Sequence, residues 1–228
     1  MLPALLLAMA VVLIAPWHLC YPDELGHLAI GRTIAQTGGV PATDPLTFSD
    51  PGARWSNPEW LGDLVLYLIH AGAGETGLQL FKLGLICLGW LLLLRLARRQ
   101  GAEAWLTVAF LLLALLSTTH HFTLRNRIHL YWLIPLYALL LERARARVDR
   151  RWLLALLPLG ALWANLHGSF ILGWVVIGAA LAQALVSRRA EDRKGRVPLA
   201  LLLAVHPLLA MISPHGLHNY GQVLDHLL

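Results

Sequence analysis

The chain has 228 residues, of which 57% are hydrophobic and 14% charged, and its mean hydropathy is +0.62. Soluble domains run nearer 45–50% apolar and about 25% charged, so the composition excludes a soluble globule and indicates an integral membrane protein. The apolar stretches are continuous Leu/Ala-rich runs rather than alternating decamers, which excludes a β-barrel.

At ~20 residues per span the chain accommodates about seven helices. The apolar runs place them near 2–19, 75–97, 103–119, 128–142, 152–165, 169–187 and 197–213. The predicted fold is therefore all-α: a polytopic membrane helix bundle forming a single transmembrane domain over 1–228. One long outer loop, about 20–73, carries short interfacial helices. No Lys or Arg precedes the first run and no small-residue cleavage site follows it, so it reads as a retained span rather than a signal peptide. Cys20 at its end and Cys87 in the second span show no metal spacing and read as small apolar residues.

The long loop begins Tyr-Pro-Asp-Glu-Leu-Gly-His and predicts an amphipathic helix from Asp23 to Gln36, stopped by Gly38 and Gly39. Asp23 and Glu24 stand four and three residues before His27, so on a helix the imidazole can meet either carboxylate. A carboxylate beside low-dielectric lipid and next to a second one suits a general base acting on a hydroxyl. The same residues equally read as an N-cap after Pro22 and a first-turn charge answering the helix dipole. Turn signals follow at Pro41, Asp44-Pro45 and Asp50-Pro51-Gly52. A second interfacial helix starts at Asn57-Pro58-Glu59 and runs to about Ala71, where Gly72 and Gly74 separate it from the next span.

Beyond the second span the charges sort by position. Thirteen of the eighteen Lys and Arg lie in three alternating connections, around Arg95–Arg99, Arg143–Arg151 and Arg188–Arg196. The positive-inside rule makes these cytoplasmic. The basic balance, with a pI near 9.7, is thus topology and not a nucleic-acid footprint. The amino terminus then lies inside, and ten of eleven His, all but His206, fall in outer segments or at outer span ends.

The outer connection between the third and fourth spans reads His120-His121-Phe122-Thr123-Leu124-Arg125-Asn126-Arg127-Ile128-His129. Two Arg on the Arg-poor face fit bidentate phosphate recognition, or snorkelling to lipid headgroups. Metal binding by His120 and His121 is disfavoured, because adjacent residues on a helix diverge by ~100°. The tight turn Trp163-Ala164-Asn165-Leu166-His167-Gly168 places an Asn and a His near hydrocarbon, where polar groups line a cavity or cap a helix end. The last outer patch is Ile212-Ser213-Pro214-His215-Gly216-Leu217-His218.

A span followed outside by Asp-Glu, an amphipathic helix ending in Gly, and a later Trp-Ser-Asn-Pro-Glu-Trp-Leu leading into another span resembles the C-type membrane glycosyltransferases. Within these it is most similar to bacterial relatives of protein O-mannosyltransferases and of the aminoarabinose transferase for lipid A. The resemblance covers essentially the whole chain in span order, through short motifs. It implies a multi-pass protein of the bacterial cytoplasmic (inner) membrane whose active face lies outside. The donor would be a polyprenyl-phosphate sugar, and the acceptor a hydroxyl on a lipid, glycan or protein. Asp23 would be the base and Glu24 would orient or polarise the site. Arg125 and Arg127 would hold the donor phosphate, with His27, Asn165 and His167 lining the pocket. Asp44 would be a second acid or an ordinary turn residue. No cofactor is required; some relatives use a divalent metal, and no convincing ligand spacing stands here. Such enzymes carry more spans, whereas this chain stops at Asp225-His226-Leu227-Leu228, which reads as the start of another helix and predicts an N-terminal fragment. The competing expectation is a non-enzymatic subunit binding the lipid carrier, or a transporter. Lys82, the only Lys or Arg well inside a span, lies near its outer end, which argues against a midplane ion site.

Overall fold

The computed structural model describes residues 2–15, 22–46, 49, 55–147 and 151–225. Its regular elements are helices: α1 (Leu2–Ile14), α2 (Pro22–Thr37), α3 (Trp60–Arg99), α4 (Ala104–Thr118), α5 (Leu130–Arg147), α6 (Arg151–Leu154), α7 (Leu156–Leu166), α8 (Ile171–Val186), α9 (Ala190–Val205) and α10 (His218–Asp225). Single 3₁₀ segments occupy Thr119–His121, Asn126–His129, Gly168–Phe170 and His206–Met211.

Among the described residues four helical stretches are long and apolar enough to cross a membrane: Trp60–Arg99, Ala104–His121, Gly168–Val186 and Ala190–Met211. The sequence predicts about seven spans. The other three fall short locally: α1 is helical only over the 13 residues Leu2–Ile14, α5 carries Pro135 and ends in charges, and the fifth run is split into α6 and α7 at Ala155. Cys20 and the end of the first predicted span lie outside the described residues. Large apolar side chains such as Leu80, Phe110, Leu113, Val175 and Leu201 stand exposed on the helix surfaces, an arrangement that suits lipid and not water.

α3 is the spine. The stretch after its kink at Gly74, residues 75–99, is roughly 37 Å long at 1.5 Å per residue, enough to cross the hydrocarbon core. The predicted separation is present at Gly74, where two helical stretches of α3 meet at a kink. Gly72 stays helical, while Gly74 adopts φ 60° and ψ −158°, a conformation in which a Cβ would be strained.

Among the described residues three apolar clusters hold the bundle, two of them large and a small one of Leu66, Leu78 and Leu124. Leu7, Val11, Ile86, Trp90 and Leu115 join α1, α3 and α4. Leu133, Tyr137, Leu156, Trp163, Ile177 and Leu202 join α5, α7, α8 and α9. In lipid such contacts hold by close packing and polar links, since burial from one apolar medium into another gains little. Inside the second cluster Tyr137 Oη lies 3.1 Å from His206 Nε2, which satisfies the one His that the sequence leaves away from the outer segments. Cys87 Sγ faces the Ala8 carbonyl at 3.9 Å, a packing role. The arginines at the far end of α3 and α5 also have local partners. Arg145 forks onto Asp192 with bonds of 2.6 and 3.1 Å, Arg99 pairs with Glu142, and Arg196 caps the last carbonyls of α8.

α2 lies against the first turns of α3. A Cβ at Gly31 would stand 2.1 Å from the Asp63 carbonyl oxygen, so only glycine lets the two backbones meet there. α2 ends where Gly38 takes φ 72° and its N–H donates to Ile34 O at 2.9 Å, a left-handed helix stop.

Candidate functional site

Four segments meet at the end of the bundle opposite the Arg99 and Arg145 pairs: α2, the start of α3, the Phe122–His129 connection and the α7–α8 turn. Their centre is Asp63, only 1% exposed. Its Oδ1 accepts from His27 Nδ1–H at 2.7 Å and from Asn126 Nδ2 at 2.6 Å. Its Oδ2 accepts from Asn57 Nδ2 at 2.6 Å. A buried carboxylate costs several kcal/mol unless its oxygens are satisfied, and three donors from three segments satisfy it. Asn57 also accepts the Glu59 amide at 2.9 Å, so one side chain shapes the entry to α3 and clamps Asp63. Gly62 makes room for Asn126, whose Oδ1 would lie 2.3 Å from a Cβ placed there.

The sequence reading lets His27 meet Asp23 or Glu24 on its own helix. The structure instead turns His27 to Asp63, 36 residues away. Asp23 pairs with Arg125 at 2.8 Å, both half-exposed. Glu24 is buried and acts electrostatically on Lys82, which is wholly buried on α3. The two adjacent acids of α2 thus serve opposite sides of the helix, because neighbouring residues point ~100° apart.

Burial alone would lower the His27 pKa, but the hydrogen bond and charge of Asp63, backed by Glu59 and Asp23, raise it above the ordinary 6.5. A raised folded-state value stabilises the fold fully below the unfolded value and loses that contribution as pH rises through the folded value. The melting temperature in detergent should therefore fall between pH 6 and pH 9. His27→Gln should flatten this part of the curve; an unchanged slope would remove the pair from the account.

His167 behaves differently. Its Nδ1 accepts the Ser169 amide at 2.9 Å, which puts the proton on Nε2, facing Glu59 Oε1 at 3.2 Å. Burial, with His129, His27 and Arg127 nearby, lowers its pKa to about 4. The Glu59 contact is thus a neutral hydrogen bond rather than an ion pair. Asn165 is a strut: it accepts Trp60 Nε1–H at 2.7 Å and donates to Ala161 O and Ile212 O, each at 2.7 Å. His215 Nε2 accepts the Asn57 amide at 3.1 Å, tying the last patch to the same end. Asp44 accepts the Leu46 amide at 2.8 Å, an ordinary Asx turn.

The guanidinium groups are less well used. Among the described residues Arg125 Nε and Arg127 Nε are buried without a hydrogen-bond partner, and the Arg127 side chain otherwise reaches only Thr123 Oγ1 at 3.5 Å. With five donors apiece, both retain capacity for an anion. The ring centroids of His120 and His121 lie 4.0 Å apart. Among the described residues, however, no three His, Cys, Asp or Glu gather in a way that could hold a metal ion.

Asp63, Asn126, Asn57 and Lys82 are the polar residues that the sequence reading gives no part in the site. The available signal was an acid at Gly62-Asp63-Leu64 in an otherwise apolar helix start, where a polar group needs a partner. A cavity of about 1110 Å³ lies at the opposite end, lined by Arg99, Glu142, Arg145 and Asp192 among others. These four charges pair with one another, and Arg189, Glu191 and Lys194 also line it. No protein-family model matches the chain, and neither a curated protein nor a solved structure matches it.

Proposed function

We propose that the chain is the membrane domain of a glycosyltransferase that moves a sugar from a polyprenyl-phosphate donor to an acceptor hydroxyl on the outer face of a bacterial inner membrane. The observation that carries this reading is the convergence of Asp23, His27, Asp63, Arg125, Arg127 and His167 at one end of the bundle. Of the residues that the resemblance singles out, Asp23 and Arg125, about a hundred positions apart, pair directly, while His27 and His167 reach Asp63 and Glu59 at the same end. In this reading the bundle completes about seven spans and its arginine-rich end faces the cytoplasm.

Departure of the sugar leaves charge on the phosphate, and preorganised cations lower the barrier to that step. Arg127 suits the role best because its donors are nearly unused, whereas Arg125 is engaged by Asp23. The acceptor's proton must go to a group on α2, which the sequence reading places at Asp23.

Arg127→Ala should weaken binding of a polyprenyl phosphate to the purified full-length protein by about 10- to 100-fold, the loss of one charge-assisted contact, and should lower transfer in parallel. Microscale thermophoresis and a mass-shift assay over a panel of polyprenyl-phosphate sugars measure the two. Wild-type binding by the variant would sink the phosphate assignment. Carrier binding by the wild type without transfer from any donor would favour a non-enzymatic carrier-binding subunit.

A further inference from the structure

The α2 end contains one unit without a task in the scheme above: His27 with the buried Asp63 behind it. Asp63 Oδ1 fixes the proton on His27 Nδ1 at 2.7 Å, while Asn126 and Asn57 donate to the two carboxylate oxygens at 2.6 Å each. A carboxylate gripped by three donors cannot swing away, so the imidazole plane is held. His27 Nε2 has no partner among the described residues, and the side chain is 16% exposed. One turn earlier on the same helix, Asp23 is occupied by the Arg125 guanidinium.

We infer that His27 is the base that takes the acceptor's proton and that Asp63 is the positioning residue behind it. This rests on the sugar-transfer reading and moves the proton-accepting role from Asp23 to His27. As the acceptor oxygen bonds to the anomeric carbon, the bond from that carbon to the phosphate oxygen breaks. Its electron pair leaves on the polyprenyl phosphate. The hydroxyl proton goes to His27 Nε2, and the imidazolium returns it to solvent before the next turnover. Asp23 is left to hold Arg125 in place.

The groups facing His27 are Asp23 on α2, Asp63 and Glu59 at the start of α3, and His167 in the α7–α8 turn. The three carboxylates favour the protonated imidazole over the free one, so transfer should rise with pH on the alkaline side of the ordinary imidazole range. Asp63→Asn removes the nearest carboxylate and should move that rising limb to lower pH while reducing the plateau rate. A purely structural Asp63 would leave the limb where it is.

His27→Gln keeps an N–H for Asp63 but cannot take a proton. In the full-length protein it should lower kcat by about 100-fold or more, with the donor KM within about threefold. Asp23→Asn should lower kcat less than His27→Gln does. Carbethoxylation of His27 by diethylpyrocarbonate, followed by mass spectrometry against pH, gives a readout independent of turnover. Its midpoint should lie above that of an exposed histidine and fall in Asp63→Asn. Near-wild-type transfer by His27→Gln, the reverse order of the His27 and Asp23 variants, or an unmoved midpoint would each overturn the inference while leaving sugar transfer intact. Failure of the wild type to transfer from any donor would remove both.

Discussion

Asp63→Ala is expected to destabilise the protein by about 3–5 kcal/mol, the usual cost of removing one member of a buried charged cluster. The reason is the number of donors left behind. His27, Asn57 and Asn126 all direct hydrogen to this one carboxylate, and a buried donor without an acceptor costs about 1–3 kcal/mol. The loss should be local first, because α2 lies against α3 through this contact and the Gly31 approach. Hydrogen exchange should show α2 amides opening while the Tyr137–Trp163 cluster stays protected. Thermal unfolding in detergent measures the total, and a shift equivalent to less than about 0.5 kcal/mol, the range of an ordinary surface substitution, would show that Asp63 is not the hub of this end.

Lys82→Met carries the second large effect. Lys82 is fully buried on α3, and Glu24, 4% exposed on α2, is the carboxylate whose charge acts on it. Removing the cation alone leaves a buried carboxylate without its countercharge, a loss of about 3–5 kcal/mol. Replacing both, as Glu24→Gln with Lys82→Met, should recover at least half of that, since an apolar or neutral pair needs no desolvated charge. The double-mutant cycle is the measurement. Simple additivity of the two single effects would show that the charges do not act as a pair.

The helix over Pro22–Thr37 was legible because its signals are local. The acidic first turn and the paired glycines at 38 and 39 bound α2, observed over Pro22–Thr37. The Arg-rich stretches read as connections lie largely within helix ends: Arg95–Arg99 finish α3, Arg143–Arg147 finish α5, and Arg193–Arg196 stand in the first turns of α9. Their arginines close helix ends or pair with neighbouring acids, as Arg196 and Arg145 do. Arg125 and Arg127 stood out because they break the charge pattern, and both keep unused donors at the α2 end.

Local spacing misled where the partner is distant. His27 has acids three and four residues before it, yet it bonds to Asp63. Glu24 is buried and its charge acts on Lys82, while Arg125 takes the other expected partner, Asp23. Asn165 and His167, expected as pocket lining, spend their polar atoms bridging segments. A polar residue's task in an apolar bundle is set by whichever donor or acceptor the fold brings within 3 Å, and no window of sequence holds that information.

Composition and charge order thus determined by themselves that this chain is an apolar helical protein with helices suited to a bilayer and with its scarce acids, histidines and asparagines concentrated in a few connections. Those properties depend on residue type and near spacing alone. Only the tertiary structure decided that Asp63 holds His27, that Asp23 meets Arg125, and that the Glu24 charge acts on Lys82. Each joins residues between 36 and 102 positions apart, and such pairings exist only once close glycine contacts have brought α2 down onto α3.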